Sequence, residues 1–180
     1  MNPLKTDTGV QASTGSRIQR VVSPMGIEAW LIEEYAVPLI AMEMSFEGGA
    51  AQDPAGKAGL ANFLSGMFDE GAGPYDAIAF QEALDEHAIQ LRFGESKDAI
   101  GGSLKTLIRH QDKAFELLRH ALTAPHFEQN AVDRVRSQIL GGIKRGANDP
   151  NSRSSKAWMA RAFAGHAYAT PDEGLAEEMS

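Results

Sequence analysis

Along residues 40–46 apolar and polar side chains alternate: Ile40, Met42, Met44 and Phe46 against Ala41, Glu43 and Ser45. A period of two is that of a strand with one face buried and the other partly solvated. Two shorter runs, 17–22 and 27–32, flank the turn signal Ser23-Pro24-Met25-Gly26 and predict a hairpin. Pro38 breaks the chain before the longer strand, and Gly48-Gly49 ends it. A loop rich in Gly, Ala and Asp then runs to Gly59.

From Leu60 the period changes. Leu60, Phe63, Leu64, Met67 and Phe68 fall on one helical face, and Asn62, Ser65, Gly66 and Asp69 on the opposite one. Gly71 and Gly73-Pro74 stop that helix. Asp76 is placed to cap a second helix whose core stripe is Ala77, Phe80, Ala83 and Leu84. Ile89, Leu91 and Phe93 alternate with Gln90 and Arg92, which reads as a strand, with 100–107 as its partner. A helix over 111–123 turns Ala114, Phe115, Leu118, Ala121 and Leu122 inward and closes at Pro125. Another over 129–145 carries Val132, Val135, Ile139 and Ile143 and ends at Asp149-Pro150; 152–164 is the last full helix. This order predicts an α+β fold: a mixed or antiparallel sheet with helices packed on one face. Residues 170–180 read as the opening of a helix cut short, so the chain is expected to be a fragment of a longer one. Residues 1–16, polar and rich in Ser, Thr and Gly, read as a flexible tail before one domain over 17–180.

Composition narrows the functions open to this fold. With 43% hydrophobic and 23% charged residues in 180, the chain has the makings of one globular core. A net charge of −7 argues against binding a phosphate backbone, so no nucleic-acid partner is expected. The lack of cysteine removes disulfides, thiolate zinc sites and a thiol nucleophile together. No run is long and apolar enough to span a bilayer, and the first residues carry no signal-peptide pattern. His87, His110, His120, His126 and His166 offer no pair spaced for zinc on one helix; surface or helix-terminal roles are expected for all five. Asp69 and Glu70 read as a solvated acidic pair, and Trp30 and Trp158 as packing residues. Gly101-Gly102-Ser103 lacks the lysine of a phosphate loop, and no G-x-S-x-G pattern marks a serine nucleophile.

Gly48-Gly49-Ala50, followed by Asp53-Pro54-Ala55-Gly56-Lys57-Ala58-Gly59-Leu60-Ala61, resembles the approach to the zinc helix of the insulinase/pitrilysin peptidases. The resemblance extends from Arg17 to about Met179, through the helix after Asp76, the helices around Pro125, and Gly165-His166-Ala167-Tyr168. That family carries an inverted H-x-x-E-H motif, with two histidines on zinc and the glutamate activating water. Aligned on Gly59-Leu60-Ala61, Asn62 falls at the first histidine, Ser65 at the glutamate and Gly66 at the second histidine. Ile139-Leu140-Gly141-Gly142-Ile143 falls where the family carries its later acidic ligand, leaving Gly141 or Gly142 there.

A catalytic zinc needs about three protein ligands to bind and to lower the pKa of its water. Asn is a poor donor, Gly offers none, and an unassisted serine is no base near neutral pH. The resemblance therefore implies a helix that keeps its packing stripe and has lost its chemical face: no catalytic residues, no zinc, and no peptidase activity of its own. It implies a non-catalytic subunit that pairs with an active family member, encloses peptide substrate and contributes to proteolysis only in that heterodimer. The family binds peptide along a sheet edge, and the matching stretch is Gln90, Leu91, Arg92 and Phe93, continuing to Gly94. Bacterial relatives of this kind are often exported, so a periplasmic or exported location is expected, with the cytoplasm as the alternative. A peptide- or partner-binding scaffold without a peptidase partner is the competing reading, and an active enzyme with an unrecognised site a third.

Overall fold

The computed structural model describes residues 17–179, and the tail expected over 1–16 lies outside them. The described residues divide into two compact units, with the boundary between Pro38 and Leu39. In the first, β1 (Gln19–Val22) and β2 (Glu28–Leu31) form the expected antiparallel hairpin, with Arg20 opposite Trp30. Gly26 takes φ of +86° in its turn, and the Ser23 hydroxyl accepts the Ile27 N–H at 2.9 Å. Trp30 is 75% exposed, contrary to the packing role expected of it; its indole N–H bonds the Glu28 carboxylate instead of entering a core.

The second unit is built on an antiparallel sheet in the order β3-β5-β4, formed by β3 (Leu39–Glu47), β4 (Gln90–Glu95) and β5 (Ala99–Leu107). Register explains its inner face. Met44, Gly102 and Phe93 lie in one row across the sheet, and Met42, Leu104 and Leu91 in the next. A Cβ at Gly102 would stand 3.1 Å from both Met44 Cγ and Phe93 Cδ1, so a glycine there lets two large neighbours meet over the central strand. α2 (Ala77–Glu86) and α3 (Gln111–Thr123) cover this face; Phe80, Leu84, Ala114, Leu117 and Ala121 complete the core with Leu91 and Leu104. Asp76 caps α2 as its sequence announces, accepting the Ala79 N–H at 2.8 Å. The α+β architecture, with an antiparallel sheet and helices on one face, is the one expected.

Three expectations need correction. The first long helix is short: α1 spans Leu60–Ser65, and Gly66 closes it before a run of turns. Its buried side is also rotated, for Ala61 and Ser65 are buried whereas Leu60 is 44% exposed. In α3 the buried row is Ala114, Leu117, Leu118 and Ala121, and Phe115 faces outward. Residues 170–179 form no helix beyond the single turn Ala176–Glu178; Pro171 and Gly174, at φ +84°, hold the chain in tight bends. α4 (Gln129–Gly146) runs as expected, and α5 (Pro150–Ala162) begins at a proline behind the Asp149 cap. A second small core joins α1 to α4: Met67, Ala131 and Val135, flanked by Phe63, Val132 and Ile139.

Candidate functional site

The loop that carries the resemblance is a mounting for α1. Gly49 packs backbone to backbone on the β4–β5 turn, where a Cβ would meet the Ser96 carbonyl at 2.1 Å. Ala50 and Ala51 donate N–H bonds to Ser96 and Lys97 of that turn. Asp53 then receives three N–H groups on one carboxylate: Gly59 at 2.7 Å, Leu60 at 3.1 Å and Ala61 at 2.9 Å. These are donors that the first turn of a helix leaves unpaired, and a charged acceptor satisfies them strongly. Gly59 lies at φ +93° against Gly174, and the Glu178 carboxylate accepts the Ala58 N–H at 2.7 Å. The loop before α1, the β4–β5 turn and the 174–178 segment thus together fix where α1 starts and how it is rotated.

That rotation decides what the outward positions do. Ser65 is turned into the protein, 5% exposed, and its single O–H is shared between the Asn62 carbonyl at 2.8 Å and the Glu95 carboxylate at 3.3 Å. Gly66 faces α4, where a Cβ would stand 3.2 Å from Val135 Cγ1. Asn62 is half-buried. Gly141 and Gly142 sit mid-helix in α4 with ordinary helical backbone, and a Cβ on either would meet only the Arg145 guanidinium. Among the described residues no group of three His, Cys, Asp or Glu side chains gathers to hold a metal. The hollow beside α1, about 480 Å³, is lined by Lys57, Leu60, Phe63, Arg136 and Met179, and by none of Asn62, Ser65 and Gly66.

The stretch expected to meet peptide is β4, an edge strand paired only with β5 among the described residues. Its side chains divide between two faces. Leu91 belongs to the core and Phe93 packs against Phe68 at a tilt, with ring centroids 4.8 Å apart, so Gln90 and Arg92 alone reach the outer face. There a shallow trough of about 380 Å³ is walled by Glu43, Ser45 and Arg92 and floored by Gly94 and Gly101. The floor is flat because neither glycine has a side chain to fill it.

Other polar groups gather where sequence reasoning had left them apart. His87 and His110 stack edge to face with centroids 5.2 Å apart, although they are distant in sequence. Lys113 donates to the Tyr75 hydroxyl at 2.5 Å and to Glu116 at 3.3 Å, and Tyr75 donates to Glu116 at 3.0 Å. The Tyr75 and Glu116 bonds raise the Lys113 pKa; burial opposes the lowering of Glu116, but bonds from Tyr75 and Lys113 prevail. The three groups satisfy one another and tie the 71–75 turn to α3, a structural clasp that no local spacing reveals. Asp69, read from sequence as solvated, is partly buried, and burial raises its carboxyl above the usual range, with Glu70 adding to the shift. Glu70 pairs with Arg134 of α4. Trp158, expected to pack, is 63% exposed on α5 and touches only the edge of Phe163 among ring contacts of the described residues.

Known proteins share this fold. The fold matches a crystal structure of the peptidase M16 inactive domain from Pseudomonas fluorescens, with a TM-score of 0.84 at 23% identity over 90% of this chain and 40% of that one. It matches a protease from Helicobacter pylori at TM-score 0.77 and 16% identity, over 90% and 39% of the two chains. Pitrilysin follows at TM-score 0.76 and 19% identity, over 91% and 18%. At such identities these likenesses establish the fold alone. In sequence, the chain is 28% identical over 143 residues to the Non-peptidase homolog YmxG of Helicobacter pylori, covering 78% of this chain and 32% of the relative. It therefore spans about a third of the length of that curated relative. The family model for insulinase (peptidase family M16) matches residues 33–174, across the loop, α1 and the sheet just described. The chain belongs to the insulinase family of peptidases, family M16.

Proposed function

We propose that this chain is a catalytically inactive member of its family, which pairs with an active peptidase subunit and helps to enclose and position peptide. The observation that carries the reading is the set of side chains on α1: an amide at 62, a hydroxyl at 65 already bonded to a carbonyl and a carboxylate, and none at 66. No imidazole or carboxylate stands at these positions to ligate zinc, and no base is placed to activate water. The name of the Helicobacter relative, a non-peptidase homolog, and the description of the Pseudomonas structure as an inactive domain support it. Residues 17–180 would be one half-type domain of the longer assembly, with β4 as the edge that peptide joins through its backbone. An exported, periplasmic location belongs to the same proposal.

The test measures zinc in the purified protein by mass spectrometry and cleavage of a quenched fluorescent peptide, alone and with an H-x-x-E-H member of the family from the same organism. The expected result is no stoichiometric zinc and no cleavage alone, with cleavage enhanced above that of the active member by itself when both are present. Stoichiometric zinc together with cleavage by the chain alone would overturn the reading. The unpaired β4 edge also suits a scaffold that binds peptide with no peptidase partner. Peptide binding without any enhancement of an active member would favour that reading.

A further inference from the structure

Charge is strongly segregated along this chain. Between residues 129 and 162 there are seven Lys and Arg against two Asp, whereas the remainder holds ten basic residues against 22 acidic. The contrast is sharpest between two helices. α5 carries Arg153, Lys156 and Arg161 and no acid; α2 carries Glu82, Asp85 and Glu86 and no base. α5 also buries none of its residues. Its half-buried row is Ser152, Lys156 and Met159, and Lys156 pairs with Glu173. The row that faces out is Arg153, Ser154, Ala157, Trp158 and Arg161, a tryptophan between two arginines over small residues. Trp and Arg on a surface of small neighbours are the side chains that dominate protein contacts.

The α2 face is its counterpart. Ile78, 72% exposed, stands in a hollow of about 440 Å³ walled by Glu82 and Asp85. Arg134, also on this wall, is neutralised by Glu70. Glu82, Asp85, Arg153 and Arg161 have no ion-pair partner among the described residues. One face offers a large apolar ring between two cations, and the other an exposed isoleucine with two anions one and two turns further along the same helical row. The geometry points to a second copy of this chain as the occupant: Trp158 of one copy enters the Ile78 hollow of the next, with Arg153 and Arg161 against Glu82 and Asp85. Two different patches meet: with both contacts made reciprocally the copies form a two-fold pair, and with each contact made to a different neighbour they join head to tail into a ring or filament. Neither surface belongs to the α1 positions, so this inference stands or falls apart from the loss of catalysis.

Sedimentation velocity on the whole protein tests it. Association should rise with concentration at low salt and weaken at high salt, because exposed charges are screened. Trp158→Ala should weaken it at least about tenfold, as expected of a hot-spot aromatic. Two charge reversals decide the matter: Arg153→Glu with Arg161→Glu in one variant, and Glu82→Arg with Asp85→Arg in another. In each variant both faces carry one sign, so each alone should stay monomeric, with folding verified by circular dichroism. An equal mixture of the two should associate, because every contact between unlike variants is again of opposite charge. A wild-type protein that stays monomeric at low salt, variants that associate as the wild type does, or a mixture that stays monomeric would each overturn the proposal.

Discussion

Ser65 turns inward because it is small and neutral enough to do so. Its hydroxyl needs one carbonyl and tolerates one carboxylate, and Asn62 and Glu95 supply them. A glutamate in its place would bring a second carboxylate toward Glu95, a repulsive pair in a poorly hydrated position. Glu95 lies 30 residues further along, so the sequence could name Ser65 as the odd residue of the helix but not its partner. Asp69 was equally opaque: an acid next to an acid reads as solvated, and only packing reveals that it is partly covered. Burial raises its pKa in the folded state, so its ionised form opposes folding above that raised value. Asp69→Asn is therefore expected to raise Tm at neutral pH. The gain should fade as pH drops through the raised value toward that of an unfolded aspartate, where both states hold the proton. Thermal melts across that range measure it; a loss of Tm at neutral pH would refute the burial account.

Elements were legible where a repeat had only one solution. The alternation in β3, the Asp76 cap and the length of α3 all follow from local rules, and the structure has them in place. Helix rotation was less legible. An apolar stripe on a helix is wide, and which of its flanking rows goes inward is settled by the neighbour it docks on. Leu60 and Phe115 therefore lie outside, while Ser65 and Leu117 lie inside. Glycines show the same division. Gly141 and Gly142 lie within α4 with no close contact except the flexible end of Arg145. Their replacement by alanine should stabilise by roughly 0.5–1 kcal/mol each, the ordinary helix-interior difference. Gly59→Ala should destabilise by about 1–3 kcal/mol, since φ is +93° and the added carbon would meet Met179 Cε at 2.3 Å and Gly174 Cα at 2.9 Å. Urea denaturation of the three variants checks both signs; a stabilising Gly59→Ala would remove the close-approach argument.

In the whole second unit, the segment around 168–179 closes over the start of α1 and the β4–β5 turn. The Tyr168 hydroxyl donates to Asp98 at 2.6 Å, and Lys97 donates to the Thr170 carbonyl and pairs with Asp172. Lys97→Met should cost about 1–2 kcal/mol, the scale of a part-buried charged hydrogen bond, and leave Asp172 without its cation. Hydrogen exchange should then quicken over 168–179 and remain slow in β5; uniform exchange would show that the clamp is not a separate unit. The sequence by itself determined the order of strands and helices, the family likeness, and the absence of ligand-type side chains at 62, 65 and 66. These depend on periodicity and on chemical identity, which are local. Only the tertiary structure decided that Ser65 faces Glu95, that Gly66 lies against Val135, and that α2 and α5 carry opposite, unpaired charges on exposed faces. Each of those depends on which distant segment a side chain meets, and that is set by the global packing of the chain.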